Sequence, residues 1–160
     1  MKHILLTTIA TLVLVGCKEL DDVTSFNHAI SNGDINRVKW FLAIGEDVNH
    51  MTSNGWTVLA IAAFANQIDV AKLLIEKGAD VNQKLSSDQQ GAYAVQAAII
   101  KGHYNMVNYL IKEGANINAI SDTGETSLDY SIRFNYSKIT DLLRKHGAKT
   151  SKELKAAEGK

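Results

Sequence analysis

The sequence predicts an all-α solenoid of about four helix-turn-helix units with β-turn loops between them, and three observations predict it. Glycines stand at 45, 78, 114 and 147, in steps of 33, 36 and 33. A second ladder, Gly33, Asn66, Gly102 and Asn135, repeats the same irregular steps. Proline is absent from all 160 residues, which suits short helices punctuated by Gly and Asn.

The N-terminus stands apart from this pattern. Met1-Lys2-His3 is a short basic start, and residues 4–15 are apolar except for threonines. Those 12 residues span roughly 18 Å as a helix, short of the ~30 Å hydrocarbon core. The stretch fits the h-region of an export signal; a buried first helix, the alternative, would carry a polar face. The run ends Leu14-Val15-Gly16-Cys17, which resembles a bacterial lipoprotein signal. That resemblance implies a signal peptide over 1–16, a lipid anchor at Cys17 and a short tether over 17–23. It would account for the single cysteine, although a free thiol is the bland alternative. Lys18 stands where aspartate would favour inner-membrane retention. The resemblance therefore implies anchoring in the cell envelope, facing the periplasm, in the outer membrane more than the inner.

The repeats occupy 24–149. The first unit begins near Phe26 and lacks a preceding turn motif. In the second, Thr57 opens a short helix over 57–63, and Asn66, a residue type that tolerates a left-handed backbone, turns the chain. Ile68, Val70, Ala71, Leu73, Leu74 and Ile75 follow at helical spacing and give a second helix with a wide apolar face. Gly78 ends it as the C′ residue, where positive φ is needed. Small residues Ala62, Ala63 and Ala98 on the first helices allow neighbouring units to approach closely. The third unit carries three extra residues within 83–92, a Ser- and Gln-rich loop whose role stays open between contact and plain insertion. The last unit replaces small residues with Asp129, Ser131 and Arg133, which predicts a polar outer face. The polar tail 150–160 holds Thr150 and Glu153, which leaves open a capped final helical turn or a frayed end.

Asn54-Gly55-Trp56-Thr57-Val58-Leu59-Ala60-Ile61-Ala62-Ala63, the Gly-Ala-Asp-Val-Asn ending at 78–82, and Gly102-His103-Tyr104-Asn105-Met106-Val107 together resemble the ankyrin-repeat family. The resemblance covers roughly 24–149 and implies a stack of helix pairs whose turn tips and first helices line a concave groove. Departures are Thr-Val-Leu-Ala at 57–60 and Tyr-Ala-Val-Gln at 93–96, which put local loop shape in doubt, not the fold.

Composition and motifs narrow the chemistry. Lys+Arg and Asp+Glu number 17 each, with no Lys/Arg run, which argues against nucleic acid as partner. Phosphate-binding, nucleophile-elbow and zinc-protease motifs are missing. His28, His50 and His146 lack ligand spacing, and His103 sits where the family carries a structural histidine. The expectation is a chain with no catalytic residues, no metal and no cofactor, monomeric when free. The resemblance places partner contacts at Trp56, Phe64, Ala92, Ile100, Lys101, Glu125, Arg133 and Phe134. Trp56 could equally pack on its neighbour. Phe64, Ile100 and Phe134 read as one apolar line, a unit apart, either facing a partner or packing under the loops. The expected function is a binding module that sequesters or neutralises a protein, an immunity protein against a periplasm-delivered toxin being the concrete form. A scaffold or stress-defence protein supporting a periplasmic enzyme is the alternative.

Overall fold

A computed structural model of the chain describes residues 25–158. The signal over 1–16, Cys17 and the tether over 17–23 lie outside the described residues. Nine α-helices appear among the described residues: α1 Phe26–Ser31, α2 Ile35–Ala43, α3 Val58–Phe64, α4 Ile68–Glu76, α5 Ala94–Ile100, α6 Tyr104–Lys112, α7 Ser127–Arg133, α8 Ser137–Lys145 and α9 Ser151–Glu158. The first eight form four pairs. Strand character among the described residues is confined to one antiparallel bridge, Met51 to Thr57.

The first helix of each pair has only six or seven residues, too few to persist alone in water. Caps and packing hold them. Ser25, Thr57 and Thr126 accept from backbone N–H groups three residues on, satisfying donors that a helix start leaves open. At α5 the Gln96 side chain supplies an acceptor instead, taking the Tyr93 N–H at 3.0 Å. Ala60, Ala62, Ala63, Ala97 and Ala98 are buried, so α1, α3, α5 and α7 approach in sequence with little side-chain bulk between them. Leu59, Leu74, Ile99, Met106, Leu110 and Leu143 fill the layer beneath, each contributing on the order of 1.5–3 kcal/mol by burial. Asn66 and Asn135 both adopt φ +57° and Gly78 φ +94°, so the two sequence ladders mark real left-handed turns.

Neighbouring pairs are tied by three asparagines in register. Asn49 donates to the Gly78 carbonyl (3.2 Å) and accepts from Asp80 N–H (2.8 Å). Asn82 does the same to Gly114 (3.2 Å) and Asn116 (2.7 Å), and Asn118 to Gly147 (3.4 Å) and Lys149 (2.8 Å). One side chain thus satisfies a carbonyl and an amide freed where the preceding helix ends.

The three-residue insertion is part of this fabric. It folds as a single 3₁₀ turn, Ser87–Gln89, flanked by bonds to both neighbouring turn tips. Ser86 N–H donates to Gly55 O (3.0 Å), Asp122 N–H donates to Gln90 O (2.8 Å), and Lys84 pairs with Asp122 at 2.6 Å. Leu85 is buried. Gly55 has φ +79°, and a Cβ there would collide with the Ser86 hydroxyl, so glycine is required for the approach.

The last unit departs from the expected polar outer face. Ser131 is buried, its hydroxyl donating to Leu128 O at 2.9 Å and meeting Thr140 Oγ1 at 2.9 Å. Asp129 turns toward α9, accepting from Thr126 N–H (2.9 Å) and Ser151 N–H (2.8 Å). Of the three polar replacements Arg133 is exposed, Asp129 is half-buried and Ser131 is buried. What holds Asp129 is α9, which has two turns rather than one. It starts from a Thr150–Glu153 reciprocal cap and is pinned by the Arg144–Glu153 ion pair at 2.8 Å. It covers the start of α7 and leaves the far end open. There Ile132 is 47% exposed, whereas its register equivalents Ile30, Ala63 and Ile99 are fully buried by the next unit.

Candidate protein-binding surface

The concave side is built from the residues that α3, α5 and α7 turn away from the core, together with the turn tips. Trp56 and Phe64 meet edge to face, centroids 5.1 Å apart and planes at 75°. The Lys101 ammonium sits 4.5 Å from the Phe64 centroid, an attraction of about 0.5–1 kcal/mol at an exposed site. Trp56 and Phe64 line a concavity of about 760 Å³ with Ile61, Asn27, His50 and Asn54. Trp56 both packs on Phe64 and lines the concavity.

A second cluster lies in the last unit, two units beyond Trp56 and Phe64. Glu125 pairs with Arg133 at 3.2 Å. The guanidinium lies 4.7 Å from the Tyr130 centroid and 5.0 Å from Phe134. Phe134 stacks on Tyr136 at 6.1 Å and is 37% exposed.

The apolar line expected through Phe64, Ile100 and Phe134 is out of register. Steps of 36 and 33 from Phe64 lead to Ile100 and Arg133. The helices agree, since Ala65, Lys101 and Phe134 are the corresponding C-caps. The groove therefore runs Phe64, Ile100, Arg133 along one row and Ala65, Lys101, Phe134 along the next. Ile100 is half-buried against the core, and Ala92, 5% exposed, offers no side chain to a partner. Ile61 and the turn residues 52–54 escaped the sequence reading. Ile61 was within reach, since it lies three residues before Phe64 on the same helical face.

His103 has a structural task. Its Nε2 meets the Phe64 carbonyl at 3.0 Å, as Gln67 Nε2 donates to Ser31 O (2.9 Å) and Tyr136 OH to Ile100 O (3.5 Å). Three residue types thus clasp the same carbonyl of successive units. No group of three or more His, Cys, Asp or Glu that could hold a metal occurs among the described residues.

A family profile described as ankyrin repeats, in three copies, matches residues 5–85 and 84–153. The chain belongs to the ankyrin-repeat family. Its ankyrin repeats are similar to those of several proteins. The ankyrin repeat protein L371 of Acanthamoeba polyphaga mimivirus is 29% identical over 123 residues, 77% of this chain and 16% of that protein. The rat Ankyrin repeat and SAM domain-containing protein 6 is 32% identical over 120 residues, 73% of this chain and 13% of that protein. The ankyrin repeat protein YahD of Escherichia coli K12 is 28% identical over 156 residues, 75% of this chain and 78% of YahD. The chain thus spans a small part of the first two relatives. Ankyrin repeats generally serve as non-catalytic protein-binding modules, and the groove of this one brings the half-buried Trp56 and Phe64 together with Lys101.

Proposed function

We propose that this ankyrin-repeat chain is a lipid-anchored module of the bacterial envelope that sequesters or neutralises one partner protein, with an immunity protein against a periplasm-delivered toxin as the concrete form. The observation that carries the binding role is the preassembled Trp56–Phe64–Lys101 cluster, whose two rings line a large concavity. Rings already ordered by one another lose little entropy on binding, and buried aromatics beside a cation are typical anchors of protein interfaces. The envelope location is supported by the signal-like run ending in Cys17. Several acyl chains at ~0.8 kcal/mol per buried methylene would make that anchor stable.

The test is affinity capture by the full chain from envelope and secreted fractions of its host, alongside Lys101→Glu/Arg133→Glu. One stoichiometric partner lost in the variant supports the proposal, and its identity decides the toxin. Weak retention of the same several proteins by both forms overturns sequestration in favour of a scaffold. Labelling with radioactive palmitate tests the anchor separately, since Cys17→Ala should abolish incorporation.

A further inference from the structure

The balanced total charge conceals a polar molecule. Residues 133–160 carry eight Lys/Arg against three Asp/Glu, and residues 1–132 carry nine against fourteen. The sequence shows no basic run because the cations are spread along two helices, yet the fold collects them at one end of the stack. Both arginines there are occupied, Arg133 by Glu125 and Arg144 by Glu153. Lys138, Lys145, Lys149, Lys152 and Lys155 are exposed, and among the described residues none is held in an ion pair. Beside them is an exposed apolar edge. Phe134 stacks on Tyr136; Tyr136, Tyr104 and Lys138 line one shallow recess; Tyr104, Lys138 and Lys145 line the next with Asp141 and Leu142. Ile132, uncovered because α9 stops short of it, adds to the edge.

We propose that this C-terminal end docks on an anionic lipid surface. The side-chain chemistry decides between a membrane and an acidic protein. Protein interfaces favour Arg, whose planar fork fixes geometry, and deplete Lys. Here every unpaired cation is a lysine, a point charge on a flexible stem suited to a fluid sheet of phosphates. Tyr rings, apolar with a polar tip, sit naturally at headgroup depth. Each lysine near an anionic leaflet adds an attraction that is attenuated within a Debye length. The inference is independent of lipidation at Cys17, and it shares Phe134 with the groove.

The experiment is co-sedimentation of the full chain with vesicles of pure phosphatidylcholine and of phosphatidylcholine containing phosphatidylglycerol at three parts in ten. Any insertion by residues 4–15 adds equally to both, so the readout is the difference between them. The expected result is at least fivefold stronger binding to the anionic vesicles, falling steeply from 50 to 300 mM salt. Lys138→Glu/Lys145→Glu should abolish the difference, as should Lys152→Glu/Lys155→Glu, with thermal unfolding unchanged in both. Phe134→Ser should weaken anionic binding without altering its salt slope. Equal binding to both vesicles, or a difference that survives both lysine variants, overturns the proposal. Binding to polyglutamate at the strength of the anionic vesicles, unaffected by Phe134→Ser, would reassign the surface to an acidic protein.

Discussion

His103 reaches across a repeat interface, its Nε2 lying 3.0 Å from the Phe64 carbonyl oxygen. A carbonyl can only accept, so this nitrogen carries the proton. The bond fixes the C-terminal end of α3, the point from which Phe64 enters the groove, and thereby joins stack rigidity to the binding surface. His103→Ala should cost about 1–3 kcal/mol, the range for leaving a shielded carbonyl unsatisfied. His103→Gln should recover most of that loss, because Gln67 performs the same task one unit earlier. Urea unfolding of the two variants checks the order, and equal losses would contradict it.

The asparagine bridges predict a loss of similar size. Asn82→Ala removes both a donor to Gly114 and an acceptor from Asn116, so it should destabilise by about 1–3 kcal/mol. Asn82→Asp keeps the acceptor and places an anion near a carbonyl, so it should recover no more than part of the loss. Calorimetric melting of the three proteins measures the difference.

Register gives a paired test of the open end. Ile99→Ala hollows a fully buried position and should cost about 2–4 kcal/mol, whereas Ile132→Ala, at the equivalent position in the last unit, should cost under about 0.5 kcal/mol. Comparable losses at the two sites would mean that the end of α7 is covered. Chemical denaturation of both variants decides.

The C-terminal cap should loosen in acid. Glu153 is drawn down from 4.5 to about 2, chiefly by its hydrogen bond to Arg144 and then by the Thr150 N–H. For Asp129 burial pushes the carboxyl upward, but hydrogen bonds from Thr126 and Ser151 outweigh it and leave the net shift downward. A carboxylate whose folded pKa lies below its unfolded value stabilises above the unfolded pKa and stops doing so as pH falls through the folded one. Protection of the Ser151 and Leu154 amides should therefore hold at pH 6 and decline between about pH 4.5 and 2, ahead of the amides of α4. Amide exchange by NMR, corrected for intrinsic rates, follows both regions.

Much of this architecture was legible in the sequence because its determinants are local. A left-handed turn at Gly78 or Asn66 depends on one residue's backbone, and the apolar face of α4 depends on spacing within nine residues. What escaped was set by neighbours. The recurring Asn49, Asn82 and Asn118 were visible as a motif, but their bridges run to residues about 30 positions away. The role of loop 84–91 stayed open between contact and plain insertion until the adjacent tips supplied partners for its backbone. Phe134 was placed with Phe64 and Ile100 because all three end a first helix, and only the 33-residue step puts Arg133 there instead. The polar end face failed at Asp129 because α9, read as a tail, starts against it, and at Ser131 because that hydroxyl is taken up inside the pair by Leu128 and Thr140.

The central claim is that one protein seats in the groove, and the most direct test is hydrogen-exchange footprinting of the chain alone and with its captured partner. The account predicts protection of the turn at 52–56 and of residues 61–65, 100–101 and 133–134, with α4 and α6 unchanged on the opposite side. A footprint on α4 and α6 with the groove still exchanging freely would contradict it.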